Sequence, residues 1–545
     1  MHLAAGTHFR AMPSIVRQRR SFLPLGRLSR VLSLLMLLLC FARGQADAQE
    51  SKGASAAKAH LDRAKQMLAA DNFPGARTEL ELSLQADPNL AEAHLSLGMV
   101  EYQIGETAQA LQHLRRAVEL LPDSFDAHYG LAMAQLRDRN VEDGRRELER
   151  AREINPRNPD AVYNLGIVLL GQGKAEDAAR LFRETRTLGP NRPDVSFYVV
   201  YAELERRRFD EARREAEEGA KAFGKDFQWR SGVGRLFVEH GQAREALPHL
   251  EEALRLQPDS AEIRRLLATA RLELRDPAGA LELLAAPATA EDHYLRASAL
   301  YLERRYREAD QESRQALKAQ PREPKFMLLE ARIAQRTGQH QDALELLDQT
   351  IASAPQWPEP YYSQGVSYYL QRRYADARRS LARALELDPY SVRALFLKSA
   401  CLVNEGKNRE AEEVLRRALA LEPANARFHY HLGALLLRDN RPDESQREFE
   451  EAIRLKPDYA PPHYQLGKLL VRSNQPERAV RELEAAVQHQ ADLAQGYYQL
   501  SRAYSLLGDQ EKSAAALAAF DKLKKQEADD NQELMDSLRQ EVEAP

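Results

Sequence analysis

The side chains best suited to binding chemistry in this 545-residue chain are aromatic rings that recur at a fixed interval. One ring follows another every 34 residues over the second half of the chain: Tyr362, Phe396, Tyr430, Tyr464 and Tyr498. Rigid rings at regular spacing are suited to stacking on a peptide or on a sugar. Two interpretations stand: the rings face solvent as a binding row, or they only pack against the next helix.

Two cations accompany the last rings of this row. Lys468 and Arg502 lie four residues after Tyr464 and Tyr498, which is one turn further along a helix. We therefore expect a positive rim at that end of the row, suited to an acidic or C-terminal segment of a partner.

Motifs for catalysis or cofactor binding are absent from the sequence. It contains no Walker A loop, HExxH, GxSxG, EF-hand loop or CxxC. His429 and His431 are two residues apart, so a helix would direct them to different faces, which argues against a metal site. We predict no catalytic residues, no metal and no cofactor, and hence a protein that is not an enzyme.

The rings belong to a longer repeating pattern, in which phrases such as ALELDP (384–389) end in proline. Most of these prolines are 34 residues apart, and the interval from Pro258 to Pro321 divides at Pro287 into 29 and 34. A small residue recurs twelve positions before the closing proline, as Ala377 and Ala411 show. Another recurs ten positions after the preceding proline, for example Gly433. A fixed period of this length indicates a repeat architecture.

The pattern resembles the tetratricopeptide repeat (TPR) family, whose 34-residue unit has small residues at positions 8, 20 and 27 and proline at 32. Fourteen units begin at 57, 91, 125, 159, 193, 227, 261, 290, 324, 358, 392, 426, 460 and 494. The resemblance implies an all-α, right-handed superhelical solenoid of helix-turn-helix units. It also implies that positions 2, 5, 9 and 12 of each first helix line a concave groove. No unit combines Lys at position 5 with Asn at position 9, which argues against a chaperone C-terminus as partner.

Elementary packing explains why the pattern recurs. Ala377, Leu381 and Ala384 fall on one helical face, and a small residue at a crossing lets two helices approach closely. Proline ends one unit before the next begins. Pro277, Pro442 and Pro476 instead lie where a second helix starts, and the first turn tolerates proline. A single unit cannot bury its apolar face alone, so the units must stack.

The 34-residue repeat is irregular in two places. The unit at 261 is five residues short, and the unit at 193 carries Gly219 and Gly224 at positions 27 and 32. Either these irregularities change the superhelix or they are drift in a tolerant repeat. We divide the chain into a signal peptide (1–48), a linker (49–56), an N-terminal array (57–260), a shortened repeat (261–289), a C-terminal array (290–527) and an acidic tail (528–545), in which one or two helical turns precede disorder.

The N-terminal segment has the composition of a secretory signal peptide. Residues 1–48 hold seven Arg and one Asp, followed by a short apolar run at 31–41 and the ADA site at 46–48. The run is too short for a membrane span of about 20 residues. We expect a periplasmic or secreted protein, through either the general or the twin-arginine route. The alternative is a protein anchored by an uncleaved N-terminus.

The net charge bears on which partners the protein can bind, and the cysteine content bears on whether it can form an internal disulfide. The N-terminal segment carries +6 of an overall charge of −4, so the remainder carries −10, which disfavours nucleic acid as a ligand. Cys401 is the one cysteine after residue 48, so that part of the chain cannot form an internal disulfide. We expect a non-catalytic protein-interaction scaffold that binds a partner in the groove. The alternative is an accessory subunit of a polysaccharide synthesis or export system, with a polysaccharide as ligand.

We predict that the mature protein begins at Gln49, because the small-x-small site ends at Ala48. N-terminal sequencing of protein purified from the cell envelope or medium measures this directly. Recovery of cytoplasmic protein that retains Met1 or Met12 would contradict export.

Overall fold

The structure is a computed structural model that describes residues 53–189 and 192–543, with side chains described to residue 527. The predicted signal peptide therefore lies outside the described residues. Over the described ranges the chain is entirely helical and contains no strand. None of the helices in those ranges has the length and apolar character of a membrane span. The chain divides into two compact units between Leu284 and Ala285.

Unit 1 contains seven helical hairpins within its described residues. Its helices are α1 (53–69), α2 (Phe73–Ala86), α3 (Ala91–Ile104), α4 (Thr107–Leu120), α5 (Phe125–Arg137), α6 (Val141–Ile154), α7 (Pro159–Gly171), α8 (Ala175–Leu188), α9 (Pro193–Glu205), α10 (Phe209–Phe223), α11 (Phe227–Glu239), α12 (Ala243–Leu256), α13 (Ala261–Glu273) and α14 (Pro277–Leu283). The seven-residue α14 belongs to the short repeat, and its early end accounts for the five missing residues.

Unit 2 repeats the same hairpin from residue 290 onwards. Its helices are α15 (Ala290–Leu302), α16 (Tyr306–Ala319), α17 (Pro324–Arg336), α18 (His340–Ser353), α19 (Pro358–Leu370), α20 (Tyr374–Leu387), α21 (Val392–Asn404), α22 (Asn408–Leu421), α23 (Ala426–Arg438), α24 (Pro442–Leu455), α25 (Ala460–Arg472), α26 (Pro476–His489), α27 (Ala494–Leu507) and α28 (Gln510–Glu543). From α3 onwards each odd-numbered helix begins at a predicted repeat start. The last helix extends beyond the one or two further turns expected for the tail.

The turn between the two helices of each repeat has one shared conformation. The residue at position 15 has a positive φ in all fourteen repeats, with values from 55° at Asn474 to 91° at Gly105. Six of these residues are glycine, which adopts this conformation at little cost. The others are Arg, Asn or Asp, so the turn is retained even where the residue type disfavours it.

A close crossing joins the two helices of a repeat. A Cβ atom added to Gly433 would lie 2.7 Å from the Phe449 ring, and one added to Gly467 would lie 2.5 Å from Leu483. Both distances are shorter than carbon atoms tolerate, so a larger residue would force the helices apart. The predicted role of the small residues at position 8 is confirmed.

A polar contact at position 4 ties both helices to the preceding loop. The His463 Nδ1–H group donates to Glu482 at 2.7 Å, and its Nε2–H group donates to the Pro457 carbonyl at 2.9 Å. His128 and His429 each make the same two contacts in their own repeats. Both partners of His463 are acceptors, so both of its ring nitrogens donate and this imidazole is positively charged.

The repeat of unit 1 that starts at 227 makes this polar contact with different residues. Arg230 takes the place of the histidine, and its Nε–H group donates to the Gly224 carbonyl at 3.1 Å. The Arg230 Nη1 atom lies 3.1 Å from Nδ1 of His249, which occupies the position of the glutamate. Burial lowers the pKa of His249 to about 4, and the neighbouring Arg230 charge acts in the same direction, so this ring is a neutral acceptor.

We predict that Ala411→Leu destabilises the protein by about 1–3 kcal/mol, because overpacking a filled core displaces its neighbours. Ala411 is completely buried and packs in a cluster with Leu402 and Leu435. Urea denaturation followed by circular dichroism measures the loss. Ala420→Leu on the exposed side of the same helix is the matched control, and equal stability of both variants would show that the crossing is loose.

The histidine contact makes stability depend on pH. Burial disfavours protonation of His463, but its hydrogen bonds to Glu482 and to the Pro457 carbonyl outweigh burial and raise its pKa above the ordinary value. The stabilisation is therefore complete below about pH 6.5 and is lost as the pH rises through the raised pKa.

We predict that Glu482→Gln lowers the urea midpoint more at about pH 5.5 than at about pH 8.5, on either side of the usual histidine pKa. Glu477→Gln, an exposed acid in the first turn of the same helix, is the control and should show no such difference. A Glu482→Gln effect that is equal at the two pH values would mean that the histidine charge contributes nothing.

Candidate functional site

The five predicted rings occupy equivalent places on the first helices of consecutive repeats in unit 2. Tyr362, Phe396, Tyr430 and Tyr464 are half-buried, and Tyr498 is 40% exposed. Neither interpretation from the sequence describes them fully, because the four half-buried rings pack one side against a core cluster and leave part of the ring in solvent.

These rings lie on a continuous surface. First helices of neighbouring repeats contact each other at α19–α21, α23–α25 and α25–α27, whereas the second helices form no comparable contacts with one another in the part of unit 2 that is described. We define the first-helix face of unit 2 as the surface formed by positions 2, 5, 6, 9 and 13 of α19, α21, α23, α25 and α27. It contains all seven predicted site residues.

Within this face, intervening side chains connect the predicted rings. Phe396 stacks on Phe428 of the next repeat at 5.4 Å, so packing between repeats is one of its roles. The His431 ring meets Phe396 at 4.8 Å and Tyr430 at 5.1 Å, both edge-on. Tyr430 also meets Tyr459 at 5.6 Å. Among these described residues, no ring contact joins one predicted ring directly to the next.

The two predicted cations differ in their surroundings. The Lys468 ammonium lies 5.9 Å from the centre of the Tyr464 ring, in the range of a weak cation–π contact. Arg502 is exposed and donates to the Gln499 side chain at 3.3 Å. Tyr498 packs against Phe520 of α28 at 5.4 Å. Lys468 therefore belongs to the ring row, whereas Arg502 borders it.

The sequence analysis missed His431 and two cations on this face. Burial lowers the pKa of His431, and Arg427 adds to the effect through its positive charge. Burial raises the pKa of Tyr464, and the charge of Arg472 opposes that shift. Both arginines are therefore electrostatic neighbours of the rings. Arg427 is at position 2, which is one of the groove positions expected from the repeat and was an available signal. Arg472 at position 13 and His431 at position 6 are not at expected groove positions.

Two buried carboxyl groups and a buried thiol in the described residues have strongly shifted pKa values. Burial raises the pKa values of Glu101 and Glu330 to about 7, but both side chains are less than one-tenth exposed between packed helices. Burial also raises the pKa of the Cys401 thiol, to about 11. No cluster of three metal-ligating side chains occurs in the described ranges.

His429 and His431 point to different surroundings, as their spacing predicted. His429 bonds Glu448 inside its repeat, whereas His431 lies among the rings of the first-helix face. An open cleft of about 660 Å³ lies near Arg427, where Glu422 and Lys456 also line it. Its walls are mostly loop residues between helices, and it contains none of the predicted rings.

Three solved structures that are similar to this chain share little sequence identity with it. The APC/C hetero-tetramer Cut9-Hcn1 structure shows 14% identity, covers 81% of this chain and 95% of its own, and has a TM-score of 0.41. Two MamA structures show 19% identity and TM-scores of 0.29; they cover 32% and 30% of this chain and 94% and 96% of their own. No curated protein matches the sequence.

Family models described as tetratricopeptide repeat match nearly the whole described chain. One model matches residues 61–125, 95–159, 129–193, 163–227, 233–293 and 294–358; a second matches 368–435, 405–466 and 436–504; a third matches 494–527. These matches follow the helical hairpins described above. The chain belongs to the tetratricopeptide repeat family.

Proposed function

We propose that this protein is a non-catalytic scaffold that binds an extended segment of a partner protein on the first-helix face of unit 2. The fold of this family is typically a scaffold for protein interactions. The observation that carries the proposal is the set of rings with one packed and one exposed side. A ring held by its neighbours loses little conformational freedom when a ligand covers its other side.

The binding energy would come mainly from Tyr430 and Tyr464. Tyr430 is fixed by edge contacts with His431 and Tyr459, and Tyr464 packs against the same core cluster as Tyr430. Rigid aromatic side chains often dominate the energy of protein interfaces. The first helices also position Lys468 beside these rings, so the surface combines apolar and charged contacts.

A polysaccharide is the competing ligand, since exposed rings also stack on sugars. The family's general association with protein partners favours the peptide. Residues 1–48 are the basis for a further part of this proposal, namely that the mature protein acts in the periplasm or after secretion.

We predict that Tyr464→Ala weakens partner binding by about 1–2 kcal/mol. Tyr464→Phe keeps the ring and should retain most of the affinity. Tyr390→Ala removes a tyrosine that is 74% exposed in the loop before α21, outside the defined face, and is the matched control. Affinity capture with each variant provides the first comparison. Proteins that bind to the wild type and to the control but not to Tyr464→Ala are then the candidates for direct measurement of affinity.

Circular dichroism melts accompany each variant. If Tyr464 served only to hold helices together, its loss would lower stability by about 2–4 kcal/mol. A folded Tyr464→Ala variant with full affinity for its partner would refute the role of the ring. Binding of neutral glycans with no protein partner would instead support the polysaccharide alternative.

A further inference from the structure

The charge on the first helices of unit 2 differs sharply from the overall charge of the protein. The four helices α21, α23, α25 and α27 contain seven Lys or Arg residues and no Asp or Glu. In unit 1, α3, α5, α7 and α9 contain seven Asp or Glu residues and one Arg. Although the overall charge is only −4, these two sets of first helices therefore carry charges of opposite sign.

In these four helices of unit 1, most of the acidic side chains have a basic or histidine side chain close by. Six of the seven have a cation or a histidine within 4 Å. Glu203, for example, lies 2.6 Å from Arg183, and Asp160 lies 2.7 Å from Arg192. This surface carries little charge that needs a partner.

An ion pair between neighbouring repeats recurs at fixed positions. A cation at position 9 of one first helix pairs with an acid at position 2 of the next. Lys65 lies 3.0 Å from Glu92, and Arg332 lies 2.6 Å from Glu359. Arg235 and Glu262 form the same contact.

This pairing is broken at the end of unit 2. The residue that corresponds to the acidic partner of Lys468 is Gln495, which cannot neutralise a charge. Arg427 itself occupies position 2, and the preceding position 9 is Ala400. No ion pair joins Arg427, Lys468 or Arg472 to any carboxylate whose side chain the structure describes.

The three unpaired cations surround the two central rings. Lys468 lies beside Tyr464, and the charge of Arg472 acts on the same ring. The positive charge of Arg427 acts to lower the pKa of both His431 and Tyr459, and the rings of these two residues both contact Tyr430. Like charges on one face repel each other, and cations that lack a counter-charge among the described side chains attract anions.

We propose that the segment bound by this face is an acidic peptide whose side-chain carboxylates pair with Arg427, Lys468 and Arg472 while its other residues cover Tyr430 and Tyr464. The inference rests on the proposed function and adds the chemistry of the partner. Adjacent helices lie about 8–10 Å apart, and an extended chain advances about 3.3 Å per residue. Arg427 lies on α23, and both Lys468 and Arg472 lie on α25, so carboxylates about three residues apart match the step from one first helix to the next.

Fluorescence anisotropy with synthetic peptides tests this proposal on the full mature chain. The probe is a labelled, C-terminally amidated peptide of about twelve residues with Glu at every third position, the spacing derived above. Matched peptides carry Gln or Lys at those positions. We expect the Glu peptide to bind about tenfold more tightly than the Gln peptide at low salt, and the Lys peptide not to bind.

Substitutions on the protein locate the site. Arg427→Gln with Arg472→Gln should weaken binding of the Glu peptide about 3- to 10-fold at low salt, and less at high salt, because exposed charges are screened. Arg447→Gln with Arg481→Gln removes the same charge from exposed positions on the second helices of the same two repeats. This control pair should bind as the wild type does, and Arg427→Lys with Arg472→Lys should retain binding.

Several results would overturn the proposal. The Glu and Gln peptides could bind equally well, or the control pair of variants could lose as much affinity for the Glu peptide as the Arg427→Gln and Arg472→Gln pair. The protein could also prefer a polyuronate to the peptide. Finally, it could self-associate in a salt-sensitive way that the Gln variants abolish. If Tyr464→Ala loses the natural partner while the arginine variants keep it, the scaffold proposal stands and the acidic assignment fails. If the arginine variants lose the Glu peptide while Tyr464→Ala keeps the natural partner, the acidic surface stands and the ring proposal fails.

Discussion

Small residues let the two helices of a repeat cross closely, and this contact constrains how the repeats stack. Gly433 and Gly467 leave room for Phe449 and Leu483 at distances that a larger side chain would forbid. Because the paired helices approach so closely, the core of each repeat is only one layer deep and must continue into its neighbour. The regular stack, and every surface on it, follows from that constraint.

The polar contacts at position 4 supply hydrogen-bond donors to the loops between repeats. Each loop leaves carbonyl groups that need donors, and the histidine ring bonds one such carbonyl while also reaching a glutamate on the second helix, as His429 does. The imidazole ring therefore connects the loop to the second helix through hydrogen bonds. Position 4 is thereby occupied inside the repeat, and positions 2, 5 and 9 remain for the outer face.

The first-helix face of unit 2 combines anchored rings with unpaired cations. Its rings are anchored on one side by the core, as Tyr430 is. Arg393 pairs with Glu359 at one end of the face, whereas Arg427 and Lys468 form no ion pair with a carboxylate whose side chain the structure describes. Packing explains the anchored sides of the rings. It offers no reason to retain Arg427 and Lys468 without counter-charges, and an acidic ligand does.

The repeat register and the starts of the first helices from residue 91 onwards could be predicted from the sequence, because the period, the small residues and the proline are local signals that most units repeat. The five ring positions could be predicted in the same way. The contacts could not be predicted: Phe396 stacks on Phe428, His431 links two rings, and Lys468 forms no ion pair with any carboxylate whose side chain the structure describes. Those facts depend on side chains about one repeat apart in sequence, and their contacts are set by the packing of neighbouring helices.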